Sequence, residues 1–321
     1  MTFDLKGKRI WVAGHRGLVG SALIKALADH EVEVVAATRE QLDLRDQAST
    51  TDFMADANVD AVIVAAGVVG GIKANTENPA SFLRDNLAIS ANVIHGAHLS
   101  GVTKLLFLGS SCMYPRLADQ PVSEDSLLTG ALEPTNEWYA IAKISGLKLC
   151  QAYRREFGSD YIVAVPANLY GPGDNFDQDF GHVVSALMSR LHLAKLDGSE
   201  AVEVWGSGNP VRDFFFVDDC AEGLLHLLKT YSNEAPINLG TGHEISIRAL
   251  AEAIALVVDY PGDLVFDTSK PDGMPRKTLD VSRVNQSGWS AKTSLSDGLA
   301  VTYQWYLKAV VGTESGKDSS L

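Results

Sequence analysis

Residues 8–13, Lys-Arg-Ile-Trp-Val-Ala, form an apolar run of strand length that stops at Gly14-His15-Arg16-Gly17-Leu18-Val19-Gly20, and residues 21–30 follow with a helical pattern. Strand, glycine turn and helix in that order leave few folds open. The glycines let the backbone turn tightly, come close to a pyrophosphate and seat the helix on the strand, while the free N–H groups of the helix N-terminus favour an anion. The spacing is Gly-x-x-Gly-x-x-Gly rather than the Gly-x-Gly-x-x-Gly fingerprint, so its weight comes from its position in the first strand-to-helix turn.

The same alternation continues. Apolar runs at 32–37, 61–66, 103–108 and 162–166 read as strands, and 79–98 and 139–157 as long helices. Successive β-α-β units require a parallel sheet with helices on both faces, a Rossmann-type, doubly wound α/β fold. Asn168-Leu169-Tyr170-Gly171-Pro172-Gly173-Asp174-Asn175 breaks the pattern with turn formers and reads as a hinge into a smaller α/β lobe. Residues 202–213 are expected to form a hairpin, 218–229 a helix, and 236–240 a short buried strand returning to the large sheet. These readings give a cofactor-binding body of residues 1–170 plus about 214–243, a substrate-binding lobe of about 171–213 plus 244–311, and a flexible polar tail at 312–321.

The strand at 103–108 ends in Gly109-Ser110-Ser111-Cys112, and Tyr139-Ala140-Ile141-Ala142-Lys143 opens the next long helix. The i,i+4 spacing puts the phenol and the ammonium on one helix face, a turn apart. A nearby cation is expected to bring the phenol down from about 10 towards neutrality, fitting Tyr139 for proton exchange with a carbonyl oxygen. Tyr-x-x-x-Lys alone occurs by chance on many helices; the serine strand and the glycine loop before it give it meaning. Alone, Cys112 reads as a small buried residue and His182 as a polar helix-start residue.

The second strand runs out into Thr38-Arg39-Glu40. An acid in that place would accept from a ribose 2′-hydroxyl, whereas an arginine holds a 2′-phosphate. Arg39, with Arg16 of the glycine loop as a second cation, points to NADP(H) over NAD(H). The alternative puts Glu40 in the pocket and leaves Arg39 as a surface charge.

With 27 basic and 40 acidic residues the formal charge is −13, which argues against non-specific binding to nucleic acid or anionic membrane. A phosphate-bearing ligand must then meet a local basic pocket. No stretch approaches the length of a membrane span, and Met1-Thr2-Phe3-Asp4-Leu5-Lys6 lacks the features of a signal peptide, so a cytoplasmic location is expected. Cys112, Cys150 and Cys220 are far apart, show no metal-binding spacing and fit a reducing compartment; no metal is expected. Cys150 and Cys220 fall in helical patterns and read as packing residues.

Taken in order, the glycine loop, the serine strand, the Tyr-Lys helix and the Asn-Leu-Tyr-Gly-Pro turn resemble the extended short-chain dehydrogenase/reductases that act on nucleotide sugars. Gly14-His15-Arg16-Gly17, Gly109-Ser110-Ser111-Cys112-Met113-Tyr114-Pro115, Glu133-Pro134-Thr135-Asn136-Glu137, Tyr139 to Lys143 and Lys270-Pro271-Asp272-Gly273 narrow the resemblance to epimerase-reductases of GDP-sugars over about residues 8–306. The resemblance implies an NADPH-dependent enzyme that converts GDP-4-keto-6-deoxy-D-mannose to GDP-L-fucose, by epimerisation at C3 and C5 through enolates and then hydride reduction at C4. It makes Ser110 and Tyr139 donors to the C4 oxygen, Cys112 and His182 the proton-transfer pair on opposite faces of the sugar, and Lys143 the residue that tunes the phenol and holds the nicotinamide ribose.

The resemblance further implies that the cofactor runs along Gly14, His15, Arg16, Gly17, Leu18, Val19, Gly20 and Arg39, then past Leu108, Gly109, Ser110, Ser111 and Lys143 to Pro166, Asn168, Leu169 and His182. The nucleotide diphosphate would meet Arg190, Trp205, Arg212, Asp272 and Lys277, and the helices at 79–98 and 139–157 would pair two copies into a homodimer. Val68, Trp138 and Asp177-Gln178-Asp179-Phe180 depart from the family's usual pattern. The nearest alternative is the colitose-type enzyme, which epimerises C5 alone and reduces a 3,6-dideoxy sugar. A 4,6-dehydratase would place an Asp-Glu pair where this chain has Ser111-Cys112, and a simple 4-epimerase would need no thiol and histidine. A non-catalytic NADP-binding protein would be expected to lack the serine, tyrosine or lysine, and all three are present.

Overall fold

The computed structural model describes residues 2–178, 180–270 and 272–312. The chain opens with β1 (Arg9–Ala13), α1 (Leu18–Leu27), β2 (Glu33–Val35), α2 (Gln47–Ala57), β3 (Ala61–Val64), α3 (Ile72–Glu77), α4 (Pro79–Leu99), β4 (Lys104–Leu108), α5 (Glu137–Phe157) and β5 (Asp160–Pro166). There follow β6 (Asn168–Tyr170), α6 (Val183–Asp197), β7 (Ala201–Trp205), β8 (Val211–Arg212), β9 (Phe214–Phe216), α7 (Val217–Thr230) and β10 (Ile237–Leu239). The chain then forms β11 (Ile245–Ser246), α8 (Ile247–Val258), β12 (Asp263–Asp267), β13 (Arg276–Lys277), α9 (Ser282–Gln286) and α10 (Leu295–Tyr306).

Six parallel strands make the main sheet in the order β10-β5-β4-β3-β1-β2. β3 and β4 are buried at every position, because a parallel sheet covered by helices leaves neither face of its central strands to water. α1 packs with α7, and α2, α4 and α5 pack in series. The strand order reverses between β1 and β3, the crevice where such sheets bind ligands. The expected return of 236–240 to the large sheet is met: Ile237 pairs with Ala164 and Leu239 with Pro166.

α5 lies unusually near β4. A side-chain carbon at Gly146 would run into the ring of Phe107, so the helix can approach only because that position is bare. This proximity carries Lys143, three residues earlier, to the end of β4.

The hairpin expected at 202–213 is not formed. β7 pairs in parallel with β12 through five residue pairs, and β8 pairs with β11 and β13. The turn between β7 and β8 is held from outside: Ser207 donates through its N–H (2.8 Å) and hydroxyl (2.7 Å) to Asp272.

Two apolar clusters result. One fills the space between the main sheet and its helices, and Leu279, Val281, Val284 and Trp289 pack into it from the C-terminal part of the chain. The other gathers Phe176, Leu187, Met188, Leu191, Ile254, Tyr303 and Tyr306. Among the described residues no helix is long and apolar enough to cross a membrane. Of the tail expected at 312–321, residues 313–321 lie outside the described residues.

Candidate active site

The glycine turn is shaped by close backbone approach. Gly14 has φ +90, and a Cβ there would sit 2.7 Å from the backbone of Ala66 at the end of β3. A Cβ on Gly20 would collide with the Gly14 carbonyl. α1 then begins at Gly17 with no side-chain cap and no acid in its first turn, so its N–H groups face the crevice uncompensated by negative charge. Arg16, Arg39 and Glu40 are exposed at the outer end, with Arg16 3.6 Å from Glu40. Bonding to Thr38, and then to backbone, holds the Glu40 carboxyl below its usual value, with Arg16 and Arg39 adding to the effect.

At the end of β4, the Leu108 carbonyl accepts from Lys143 Nζ at 2.9 Å, and the Gly109 N–H donates to Ala164 at 2.8 Å. The next residues tighten into a short 3₁₀ turn over Ser111–Met113. That turn folds Cys112 back so that its Sγ lies 3.2 Å from Ser110 Oγ. The same serine hydroxyl and the thiol both act on the Tyr139 phenol, the serine lowering its pKa and the thiol raising it. Thiol, hydroxyl and phenol therefore meet in one cluster.

The electrostatics correct one expectation. Tyr139 is pushed well above its ordinary value rather than below it, because burial opposes the phenolate and Cys112 adds to the effect, with Ser110 pulling only partly the other way. The ammonium of Lys143 is engaged at the Leu108 carbonyl, 4.9 Å from the Phe107 ring centroid and 5.8 Å from that of Tyr139. Burial lowers Lys143 to about 8. The thiol of Cys112 is raised by burial, against the pull of Lys277, Ser110 and Lys143.

His182 stands at the N-cap of α6, its side chain 45% exposed, with Nδ1 3.1 Å from Asp174 Oδ1. The bond to Asp174 raises the imidazole above its usual value, outweighing partial burial. Asn168 donates through its N–H and Nδ2 to the Asp213 carbonyl, and Leu169 pairs with Phe215, which puts both just beyond the Pro166 end of β5.

In the second lobe, β8 and β13 set Arg212 and Lys277 side by side in register. Arg212 Nη1 donates to the carbonyls of Val211 (2.8 Å) and Met274 (2.7 Å). Burial lowers Lys277, while Cys112 acts to raise it. Trp205 is 60% exposed at the end of β7, with Lys270 Nζ 5.5 Å from its ring centroid. Arg190 donates to the carbonyls of Glu203 (3.0 Å) and Gln178 (3.2 Å), so its guanidinium joins β7 to the loop before His182.

Two residues of the site were not singled out by the sequence pattern. Asn86 is 2% exposed; its Oδ1 accepts from Val68 N–H at 2.9 Å and its Nδ2 donates to Val68 (3.0 Å) and Phe82 (2.8 Å) carbonyls. It pins the loop after β3 beside Lys143, and its signal is a polar residue on the apolar face of α4. Asp174 is the second; its signal was its place in the turn eight residues before His182. Among the described residues no group of His, Cys, Asp and Glu is placed to hold a metal ion.

A parallel sheet with a glycine turn at its switch point, and a serine at a strand end acting on the tyrosine of a Tyr-x-x-x-Lys helix, defines a nucleotide-dependent short-chain oxidoreductase scaffold. Residues 10–240 match the NAD dependent epimerase/dehydratase family. The chain is 54% identical to a GDP-L-fucose synthase of Sinorhizobium fredii, covering 95% of this chain and 98% of that protein. It is 51% identical to the GDP-L-fucose synthase of Escherichia coli, with coverage of 94% and 97%. The crystal structure of a GDP-L-fucose synthetase from Naegleria fowleri bound to NADP superposes with a TM-score of 0.88 at 29% identity over 96% of each chain. The chain belongs to the NAD-dependent epimerase/dehydratase family, among its GDP-L-fucose synthases.

Proposed function

We propose that the protein converts GDP-4-keto-6-deoxy-D-mannose to GDP-L-fucose, epimerising C3 and C5 and then reducing the C4 ketone. The observation that carries this reading is the cluster at the end of β4, where the Cys112 thiol lies against the Ser110 hydroxyl and both act on the Tyr139 phenol. A ketone reductase needs the serine and the phenol; a thiol in the same cluster has no use in reduction alone.

The C4 ketone acidifies the protons at C3 and C5, and Ser110 and Tyr139 hydrogen-bond the oxygen on which the enolate charge collects. Cys112, raised by burial and only partly drawn back by Lys277, Ser110 and Lys143, takes a proton from carbon through its minor thiolate form. His182, protonated through its carboxylate partner, returns a proton from the other face. Its partial exposure lets it reload from solvent. In the reduction Tyr139 protonates the C4 oxygen, and Lys143 stabilises the negative charge that the phenol acquires.

NADPH fits the crevice, since bare Gly14 and Gly20 let the turn pack tightly on Ala66 and on itself, α1 opens there with no acid in its first turn, and two arginines stand at the outer end; when bound it supplies the hydride. Arg16 and Arg39 would hold the 2′-phosphate, displacing Glu40. Arg39→Ala is expected to weaken NADPH about 10- to 100-fold, the worth of a charge-assisted hydrogen bond, and NADH little. An unchanged ratio of the two dissociation constants would count against the contact. Arg212 and Lys277 supply the local positive charge that a pyrophosphate needs on an acidic protein. The cofactor belongs on residues 1–170 and about 214–243, and the nucleotide sugar on the lobe of about 171–213 plus 244–311. A homodimer through α4 and α5 agrees with the exposed Leu99, Trp138 and Phe157 on those helices, and three free buried cysteines suit a reducing compartment.

The decisive test is incubation with GDP-4-keto-6-deoxy-D-mannose and NADPH in heavy water. Deuterium at both C3 and C5 together with NADPH oxidation is the expected result. Oxidation with label at C5 alone, or with none, would replace this reading by a colitose-type or simple ketone reductase.

A further inference from the structure

Asp174 is a buried carboxylate, its side chain 3% exposed, and the ordinary reasons for burying one are missing. No lysine or arginine pairs with it among the described residues. Oδ1 accepts from the Asn175 N–H at 2.8 Å and faces His182 Nδ1 at 3.1 Å, while Oδ2 is buried with no hydrogen-bond partner. A carboxylate left half satisfied in a dry position is costly unless its charge has a use.

We propose that Asp174 is the positioning residue of His182: it fixes the proton on Nδ1, turns Nε2 towards the sugar, and keeps the imidazole protonated for delivery to the enolate carbon. This rests on the epimerase role given to His182 above. Nδ1 must carry hydrogen to meet a carboxylate, so Nε2 is the nitrogen left to react. The proton on Nε2 passes to carbon, the enolate electrons form the new C–H bond as the C4 carbonyl returns, and neutral imidazole is left to recover a proton from water.

The other charged groups near the pair are already committed. On the same loop Asp177 accepts from the Phe180 N–H, and Arg190 from α6 is tied to two carbonyls. Lys73 of α3 sits 4.8 Å from the Phe180 ring centroid. From α1, Ser21 faces Gly173, and Lys25 pairs with Asp218. Asp174 alone among the described charges is bonded to the imidazole.

The test uses the full chain. In wild-type protein the His182 ring resonance, identified by its disappearance in His182→Asn, is expected to titrate above the ordinary 6.5; titration at or below that value overturns the proposal without any Asp174 variant. Asp174→Asn keeps an oxygen for the Asn175 N–H and for Nδ1 but removes the charge. It should move the titration acidward by about one pH unit or more and move the alkaline limb of deuterium exchange at C3 and C5 the same way, with exchange at neutral pH down about tenfold or more. Asp174→Ala should share that limb and exchange more slowly still. A limb unmoved in Asp174→Asn, even with a lower rate, would mean a merely structural residue and overturn the proposal. Wild-type exchange in His182→Asn, with the Asp174→Asn titration shift still seen in the chain that keeps His182, would instead sink the role of His182, a distinguishable failure.

Discussion

Tyr139→Phe is expected to cut NADPH oxidation by about 10²- to 10⁴-fold, the usual worth of a positioned proton donor, while deuterium still enters C3 and C5 within about tenfold of the wild-type rate. The separation follows from the geometry. Reduction needs a proton delivered to the C4 oxygen, and on the proposed mechanism the buried phenol, held protonated by desolvation, is the donor. Enolate formation needs only hydrogen bonds at that oxygen, and Ser110 remains to supply one. Lys143 sits at about 8, so reduction should hold below that value and fall as pH rises through it, when the ammonium that stabilises the phenolate is lost. The checks are absorbance at the nicotinamide band and mass-resolved label in one reaction. Wild-type reduction by the phenylalanine protein would remove Tyr139 from the mechanism.

Cys112→Ser is expected to abolish label at C3 and C5, a fall of about 10²- to 10⁴-fold, with the protein folded as before. The substitution exchanges sulfur for oxygen in a 6% exposed site already bonded to Ser110, so little else changes. What changes is acidity: a hydroxyl ionises far less readily than a thiol, and Lys277 and Lys143 cannot make up the difference. NADPH oxidation should fall with it, because the ketone then presents the unepimerised sugar, and residual reduction should yield an unlabelled product. Normal labelling by the serine protein would end the case for the thiol.

The sequence displayed the parallel sheet and the cluster at the end of β4 because both depend on local signals: apolar runs broken by glycine, and functional groups at fixed spacing. It misplaced the strands around 202–213, since parallel partners at 263–267 and 276–277 are set by contacts remote along the chain, which alternation within one segment cannot reveal. The phenol's direction was missed for a related reason. Spacing places Lys143 beside Tyr139 but does not show how dry the site is, or that the ammonium is bound to the Leu108 carbonyl. Asn86 and Asp174 become meaningful only once α4 and the turn after β6 are folded against their neighbours.

One guanidinium has reach beyond its own contacts. Arg190 grips both Glu203 on β7 and Gln178 in the loop that leads to His182, and β7 ends at the exposed ring of Trp205. On the proposed reading, a base or ribose settling on that ring would lean on the same frame that sets the imidazole's distance from C3 and C5. Contact energy gained at the handle of the substrate would in this way reach its reacting carbons, and a sugar stripped of its nucleotide would lose turnover as well as grip.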